Sequence, residues 1–183
     1  WRMSAAVEIA VRPAGPDDAA TIARLHVDSW LAAYRGIVDD AYLDALDVRE
    51  RSAVWDERLA DPAPAMRTLV AETDGRVVGF ATTGPSRDDD AAPRTAEVQA
   101  IYVTPDAWGT GAGRALMNAA IDVLGGAYDR VTLWVLQDNT SARRFYERAG
   151  FTADGATTTA RIGDADLPEV RYARNLTPPS RGR

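Results

Sequence analysis

The sequence predicts an α/β (α+β) fold in which about seven strands are interleaved with helices. Three observations carry this. The apolar strand ending in Ile101-Tyr102-Val103 runs through Thr104-Pro105-Asp106-Ala107 into a glycine-spaced turn, Trp108-Gly109-Thr110-Gly111-Ala112-Gly113-Arg114, and then into an amphipathic helix. The tetrapeptide Thr73-Asp74-Gly75-Arg76 has the Asp-Gly signal of a tight hairpin between two strand-like runs. Two closing strands are joined through Gly163-Asp164-Ala165-Asp166.

In chain order, Val7 to Val11 reads as a strand, and Pro16-Asp17-Asp18 opens a helix whose apolar face is Ala19, Ile22, Ala23, Leu25 and Trp30. Two helical pieces follow, Asp39 to Leu46 and Val48 to Leu59, with Leu43, Leu46, Val54, Trp55 and Leu59 inward; Asp61-Pro62-Ala63-Pro64 ends them. Arg67 to Glu72 and Val77 to Thr83 are the strands of the antiparallel hairpin, and Gly84 to Pro93 is a polar loop. Thr95 to Val103 is the central strand, with Val98, Ala100 and Tyr102 on one side and Glu97, Gln99, Ile101 and Val103 on the other. The helix from Gly111 to Leu124 turns Ala112, Leu116, Ala119, Ala120 and Val123 inward and closes at Gly125-Gly126. Val131 to Leu136 is a buried strand. Asp138 or Asn139 caps a helix carrying Ala142, Phe145, Tyr146 and Ala149 that stops at Gly150, and the closing strands are Thr152 to Ile162 and Glu169 to Asn175. No internal repeat or linker divides the chain, so residues 3–177 are expected to form a single domain with a frayed tail at 178–183; Trp1 and Arg2 precede Met3 and are set aside.

The 183 residues, 46% of them hydrophobic, supply material for one core. A net charge of -6 argues against nucleic acid as a partner, because that affinity depends on clustered cations neutralising phosphates. With no cysteine and one histidine, His26, the chain has no thiolate nucleophile and no histidine cluster, and no metal is expected. No apolar run approaches the roughly 20 residues of a membrane helix, so a soluble, cytoplasmic protein without a membrane partner is expected.

The glycine turn has a direct physical reading. Glycines at every second position let the backbone approach a ligand, and the first NH groups of the following helix are unpaired donors with partial positive charge, so the segment suits a phosphate. The alternative is an unliganded tight turn. A dinucleotide-binding fingerprint does not fit, since Arg114 stands where its third glycine belongs, and the absence of any lysine excludes a nucleotide-hydrolysing P-loop.

Downstream, Asn139-Thr140-Ser141-Ala142-Arg143-Arg144-Phe145-Tyr146-Glu147-Arg148-Ala149-Gly150-Phe151 completes a pair of motifs that, in this order, resembles the GNAT superfamily of acyl-CoA N-acyltransferases. The likeness covers nearly the whole chain and implies the GNAT fold, a mixed and mostly antiparallel sheet of about seven strands with helices on both faces. It departs from the family pattern at Trp108, where Gln or Arg usually stands. The resemblance implies acetyl-CoA as co-substrate, its pyrophosphate cradled by the amides of Trp108, Gly109, Thr110, Gly111, Ala112, Gly113 and Arg114. The pantetheine arm would pair with the backbone of Ile101, Tyr102 and Val103 and be bonded by Asn139, which is also readable as a plain helix cap. Tyr146 would protonate the leaving thiolate.

Glu97, on the strand leading into the turn, is the candidate base, acting through a water; the competing reading is a carboxylate paired with an arginine, and a bulge in the strand would change the face it occupies. Trp30, Tyr34 and Arg35 resemble the segment that shapes the acceptor pocket, together with the loop Ser86 to Pro93. There Asp88-Asp89-Asp90 either attracts a cationic amine or is simply solvated. The expected activity is transfer of an acetyl group to a primary amine of a small molecule or peptide, by direct attack in a ternary complex. The alternatives are a non-catalytic acyl-CoA-binding module and an enzyme using another acyl-CoA donor. A homodimer is compatible with the resemblance.

Overall fold

A computed structural model describes residues 8–176. Trp1, Arg2, Met3, Val7 and the tail at 178–183, on which expectations were placed, lie outside the described residues. The strands are β1 (Ile9–Pro13), β2 (Arg67–Thr73), β3 (Arg76–Pro85), β4 (Thr95–Val103), β5 (Arg130–Leu136), β6 (Thr152–Ile162) and β7 (Ala165–Asn175). The helices are α1 (Ala19–Tyr34), α2 (Asp40–Asp44), α3 (Val48–Ala60), α4 (Ala112–Leu124) and α5 (Thr140–Arg148). The strands form one open seven-stranded sheet in the order β1-β2-β3-β4-β5-β7-β6. Only β4 and β5 run parallel; every other neighbouring pair is antiparallel. This is the mixed, mostly antiparallel sheet the sequence predicts.

Helices cover both faces. On one, Ile22, Ala23 and Leu25 of α1 and Trp55 and Leu59 of α3 pack on Val70 and Phe80, with Ala100 and Tyr102 at the edge. Phe80 is fully buried, and burial of a side chain of this size contributes roughly 1.5–3 kcal/mol. On the other face, Ala112, Leu116 and Ala120 of α4 lie on Leu69, Ala71, Val78 and Ala81. Met117, Leu133, Val135, Phe151 and Tyr172 continue that layer toward α5. The helix sits so close to the sheet that a Cβ on Gly79 would stand 2.8 Å from the carbonyl oxygen of Tyr102 and 2.9 Å from Leu116 Cδ1. Gly79 is therefore what brings α4 down onto β3 and β4.

Two expected inward residues face solvent: Val54 is 41% and Val123 46% exposed. Each sits at the margin of its helix's apolar stripe, where Trp55 and Leu59 in α3, and Met117 and Leu124 in α4, occupy the buried positions. Strand β7 begins at Ala165 rather than Glu169, because Ala165 to Pro168 already pair with Thr159 to Ile162 of β6 across the hairpin. Among the described residues no helix is long and apolar enough to cross a membrane, and no group of His, Asp and Glu is arranged to hold a metal ion.

Candidate active site

The parallel pair β4–β5 is joined only at Thr95–Arg130, Ala96–Val131 and Glu97–Thr132. Beyond these positions the strands continue to Val103 and Leu136 without pairing, which leaves a wedge in the middle of the sheet. A β-bulge lies beside its apex, where Thr82 opposes Ala100 but Thr83 opposes Val98, leaving Gln99 without a partner. An extra residue adds twist and inverts the side-chain alternation that follows it. The alternation read from sequence is corrected accordingly. Val98 lies with Ala96 on the α4–α5 face, while Ala100 and Tyr102 lie on the α1 face and Ile101 and Val103 on the α4 face. Glu97, between Ala96 and Val98, falls on the same face as Tyr102.

The backbone direction of β4 follows from one hydrogen bond. The NH of Thr104 donates to the carbonyl of Val78 at 2.8 Å, so in an antiparallel ladder Tyr102 also bonds toward β3, and the peptide groups of Ile101 and Val103 point the other way, into the wedge. The Val103 carbonyl already accepts from the indole Nε1 of Trp108 at 2.8 Å and from Ser29 Oγ at 3.3 Å. Trp108, 54% exposed, is thus pinned across the mouth of the wedge by its ring NH.

In the turn, Trp108 NH bonds to Pro105 and Thr110 NH to Ala107, and Ala112 NH lies 3.4 Å from Thr110 Oγ1. Among the described residues the amides of Gly109, Gly111, Gly113 and Arg114 have no protein acceptor. From Trp108 to Gly113 free donors alternate with satisfied ones, and Arg114 adds a second free NH beside Gly113. Gly111 caps α4 with φ of 102°, in the left-handed region where a side chain is strained. A Cβ on Gly113 would lie 3.3 Å from the Phe145 ring, so α4 and α5 meet across that glycine. Arg114 is exposed and makes no ion pair among the described residues.

Helix α5 starts at Asn139, whose Oδ1 accepts from the NH of Ala142 at 3.1 Å. Asn139 is thus a helix cap, and its Nδ2 makes no bond among the described residues. Tyr146 packs against Phe145, Phe151 and Tyr172, with ring centroids 5.4, 6.4 and 6.5 Å away. Burial first, and the nearby Tyr102 second, raise its phenol well above the ordinary value. It stays protonated at neutral pH.

On the α1 face of the wedge stand Trp30 and Tyr34, 4.9 Å apart edge to face, and His26, stacked on Tyr102 at 5.1 Å. Burial, helped by the cations Arg51 and Arg58, lowers His26 to about 4, so it is neutral at physiological pH. His26 Nδ1 and Trp30 Nε1 are buried without partners among the described residues. Burial also raises Tyr34 and Tyr102.

Glu97 is 2% exposed, and Arg87 grips it: the backbone NH and Nε donate to Oε2 at 3.2 and 3.0 Å, and Nη2 donates to Oε1. Both oxygens are held, which is the arginine-paired arrangement, in a buried setting. The acidic run is not simply solvated either. Asp88 accepts from Trp134 Nε1 and Arg171, and Asp90 accepts twice from Arg171. Arg35, placed with the acceptor segment by sequence, pairs with Asp40 and Asp44. A carboxylate that sequence reading passed over, Glu169 of β7, is half-buried on this face. Alternation along the last strand places it there with Leu167, but nothing local announces its neighbours.

Residues 24–151 match the model of the acetyltransferase (GNAT) family. A protein of Mycobacterium tuberculosis described as a probable N-acetyltransferase is 30% identical over 90% of this chain and 92% of its own. The L-amino acid N-acetyltransferase AaaT of Escherichia coli is 32% identical over 90% of this chain and 96% of its own. Among solved structures, the PaiA N-acetyltransferase of Thermoplasma acidophilum in complex with coenzyme A superposes with a TM-score of 0.71 at 19% identity, covering 92% of this chain and 99% of that one. That last likeness speaks to fold alone.

Proposed function

The chain belongs to the acetyltransferase (GNAT) family and is an acyl-CoA-dependent acetyltransferase; from this premise we propose that it moves the acetyl group of acetyl-CoA to a primary amine by direct attack within a ternary complex. The observation that carries this reading is the wedge between β4 and β5, which opens beyond Glu97 and ends at a turn with four amides unbonded among the described residues.

In this reading the pyrophosphate rests on the NH groups of Gly109, Gly111, Gly113 and Arg114, at the positive end of α4. Thr110 and Ala112 shape the turn, and the Arg114 guanidinium adds a contact from solvent. The pantetheine arm lies in the wedge as an added strand against Ile101 and Val103, with Tyr102 behind them and Asn139 Nδ2 reaching it from the start of α5. The acetyl carbonyl then sits between Tyr146 and the α1 face, with a backbone NH of Ile101 directed at the oxygen that becomes negative.

The amine nitrogen attacks the carbonyl carbon from the cleft lined by Trp30, Tyr34 and Tyr102. As the tetrahedral adduct collapses the C–S bond breaks, and the Tyr146 hydroxyl gives its proton to the departing sulfur. A phenol kept protonated has a proton to share with the departing sulfur; because it is a weaker acid than a thiol of pKa about 8.5, the donation is completed only as the nitrogen's proton replaces the one given up. The proton lost by the nitrogen balances the one given to sulfur. No residue needs to carry the acetyl group, and the chain has no cysteine to do so. We assign Glu97, with its oxygens held by Arg87, an electrostatic part: a fixed ion pair beside the cleft.

The test is a free-thiol release assay with acetyl-CoA and a panel of amino acids, polyamines, aminoglycosides and peptides, run beside calorimetry with coenzyme A. Turnover with an amine supports the reading. Tight cofactor binding with no turnover for any amine would instead indicate the non-catalytic module, and repeating the assay with propionyl- and succinyl-CoA ranks the donors.

A further inference from the structure

The cleft needs a group that accepts the amine's proton, and the residues already described do not supply it. Glu97 has both oxygens occupied by Arg87. His26 lies against Tyr102 and within an aromatic cluster that also holds Trp30, Trp55 and Phe80. The acids Asp88 and Asp90 are bound to Arg171.

Glu169 is placed differently. It pairs across the ladder with Leu136, four positions beyond Thr132, the last β5 residue that bonds to β4, so it stands beside the open part of the wedge. On β7 it shares a face with Leu167, which packs on the cluster of Val38, Leu43 and Leu136 against which Trp30 and Tyr34 also lie, whereas Val170 and Tyr172 turn to the opposite layer. Its carboxylate is half-buried and has no hydrogen-bond donor or ion-pair partner among the described residues. The charged and titratable groups around it are Glu97 of β4 and Arg87 of the β3–β4 loop, together with Tyr34 of α1 and Tyr102 of β4, whose phenols respond to its charge. Arg171, two residues along, is committed to Asp88, Asp90 and Asp154. Burial and the neighbouring Glu97 charge raise Glu169 above an ordinary glutamate, with Arg87 opposing.

Resting on the acetyltransferase reading, we propose that Glu169 holds the acceptor as a cationic ammonium and takes the proton that must leave before its nitrogen can attack. An unpaired carboxylate near enough for its charge to act on the phenols of Tyr34 and Tyr102, on the face that carries Trp30, is a site for an alkylammonium, a cation that aromatic rings also favour. The ammonium's proton leaves first, to Glu169, and frees the lone pair that attacks the acetyl carbon; once the C–N bond has formed, the second N–H proton, now acidic, replaces the one that Tyr146 gives to sulfur. The carboxylic acid so formed returns the proton to water after the amide leaves.

The experiment compares Glu169→Gln with the unmodified chain, using the best acceptor of the panel and trifluoroethylamine, an amine largely unprotonated at neutral pH. For the cationic acceptor, kcat/KM should fall by about 10²–10⁴-fold, and its acid limb should vanish from the pH profile. Trifluoroethylamine should lose far less, and calorimetry should give an unchanged coenzyme A affinity, showing that the variant is folded. An unaltered kcat/KM and acid limb in Glu169→Gln, or equal losses for the two amines, overturns the role of Glu169 while leaving the acetyltransferase reading intact. If the unmodified chain acetylates no amine, the acetyltransferase reading itself fails, and the role of Glu169 falls with it.

Discussion

Tyr146 and Trp108 show how single side chains set the chemistry of the wedge. Tyr146→Phe removes a hydroxyl and leaves the ring packing against Phe145, Phe151 and Tyr172 in place. Turnover should fall about 10²-fold or more while the calorimetric affinity for coenzyme A stays within about twofold, because only the proton donor is lost; an unchanged kcat would remove Tyr146 from the mechanism. The indole NH of Trp108 occupies the Val103 carbonyl that an added strand would use. Coenzyme A should therefore displace it, seen as a shift in tryptophan emission that is missing from Trp108→Phe, and the variant should bind the cofactor up to about tenfold more tightly, since one hydrogen bond of about 1 kcal/mol no longer has to be broken. Weaker binding by Trp108→Phe would show that the ring supports the cofactor instead. His26 gives a pH signature. Its folded value of about 4 lies below the 6.5 of an exposed histidine, so between these values the unfolded chain takes up a proton that the folded chain refuses. Stability should decline as pH drops from 6.5 toward 4, by up to about 3 kcal/mol at 1.36 kcal/mol per pKa unit. Denaturant melts of His26→Phe against the unmodified chain should show a shallower decline over this window.

At the scale of elements, what could be read from sequence and what could not divide along physical lines. The strand, turn and start of α4 were legible because positive φ at Gly109 and Gly111 demands glycine and the close approach of Phe145 to Gly113 favours it, and that demand is written into one short segment. The hairpin of β2 and β3 was legible through Asp74-Gly75 for the same reason. The bulge at Gln99 was not, because it is a property of the register between β3 and β4, and neither strand's sequence carries it alone. The face of Glu97 and its partner Arg87 depend on that bulge and on the loop between them. Glu169 was missed because its neighbours come from α1, β4 and the β3–β4 loop, far away in sequence. Gly111→Asp tests the turn. It places a side chain at φ of 102° and a negative charge where the free amides converge, so coenzyme A binding should be lost while the thermal midpoint drops by only a few degrees. Normal affinity by calorimetry would mean that the pyrophosphate lies elsewhere.

For the whole molecule, the wedge that makes room for a cofactor also weakens the sheet at its centre. The half built from β1 to β4 and the half built from β5 to β7 share only the short ladder at Thr95–Glu97 and Arg130–Thr132. Helices α4 and α5 bridge them on one face. On the other, the bridges are the α1–α2 layer, which packs on β2 and β3 and on Leu136 and Leu167, the bond from Trp134 Nε1 to Asp88, and Arg171 of β7, 12% exposed, which donates to Asp88 and Asp90 of the β3–β4 loop and to Asp154 of β6 and lies over the Trp134 ring at 5.5 Å. Asp88 and Asp154 are nearly as buried, at 14% and 16% exposed. Removing the cation leaves their charges without it in a partly dry setting, which in comparable networks costs about 3–5 kcal/mol. Arg171→Ala should therefore lower unfolding stability toward that range, less any gain from solvent reaching Asp90. The loss should be local before it is global: amide exchange should quicken first in Thr95–Glu97 and Arg130–Thr132, the ladder that the tether protects, and later in β2 and β3. Arg171→Lys keeps the charge but not the fork that reaches three carboxylates, so it should recover only part of the loss. Uniform acceleration of exchange across the sheet in Arg171→Ala would show that the two halves do not open separately, and that the wedge is held without this tether.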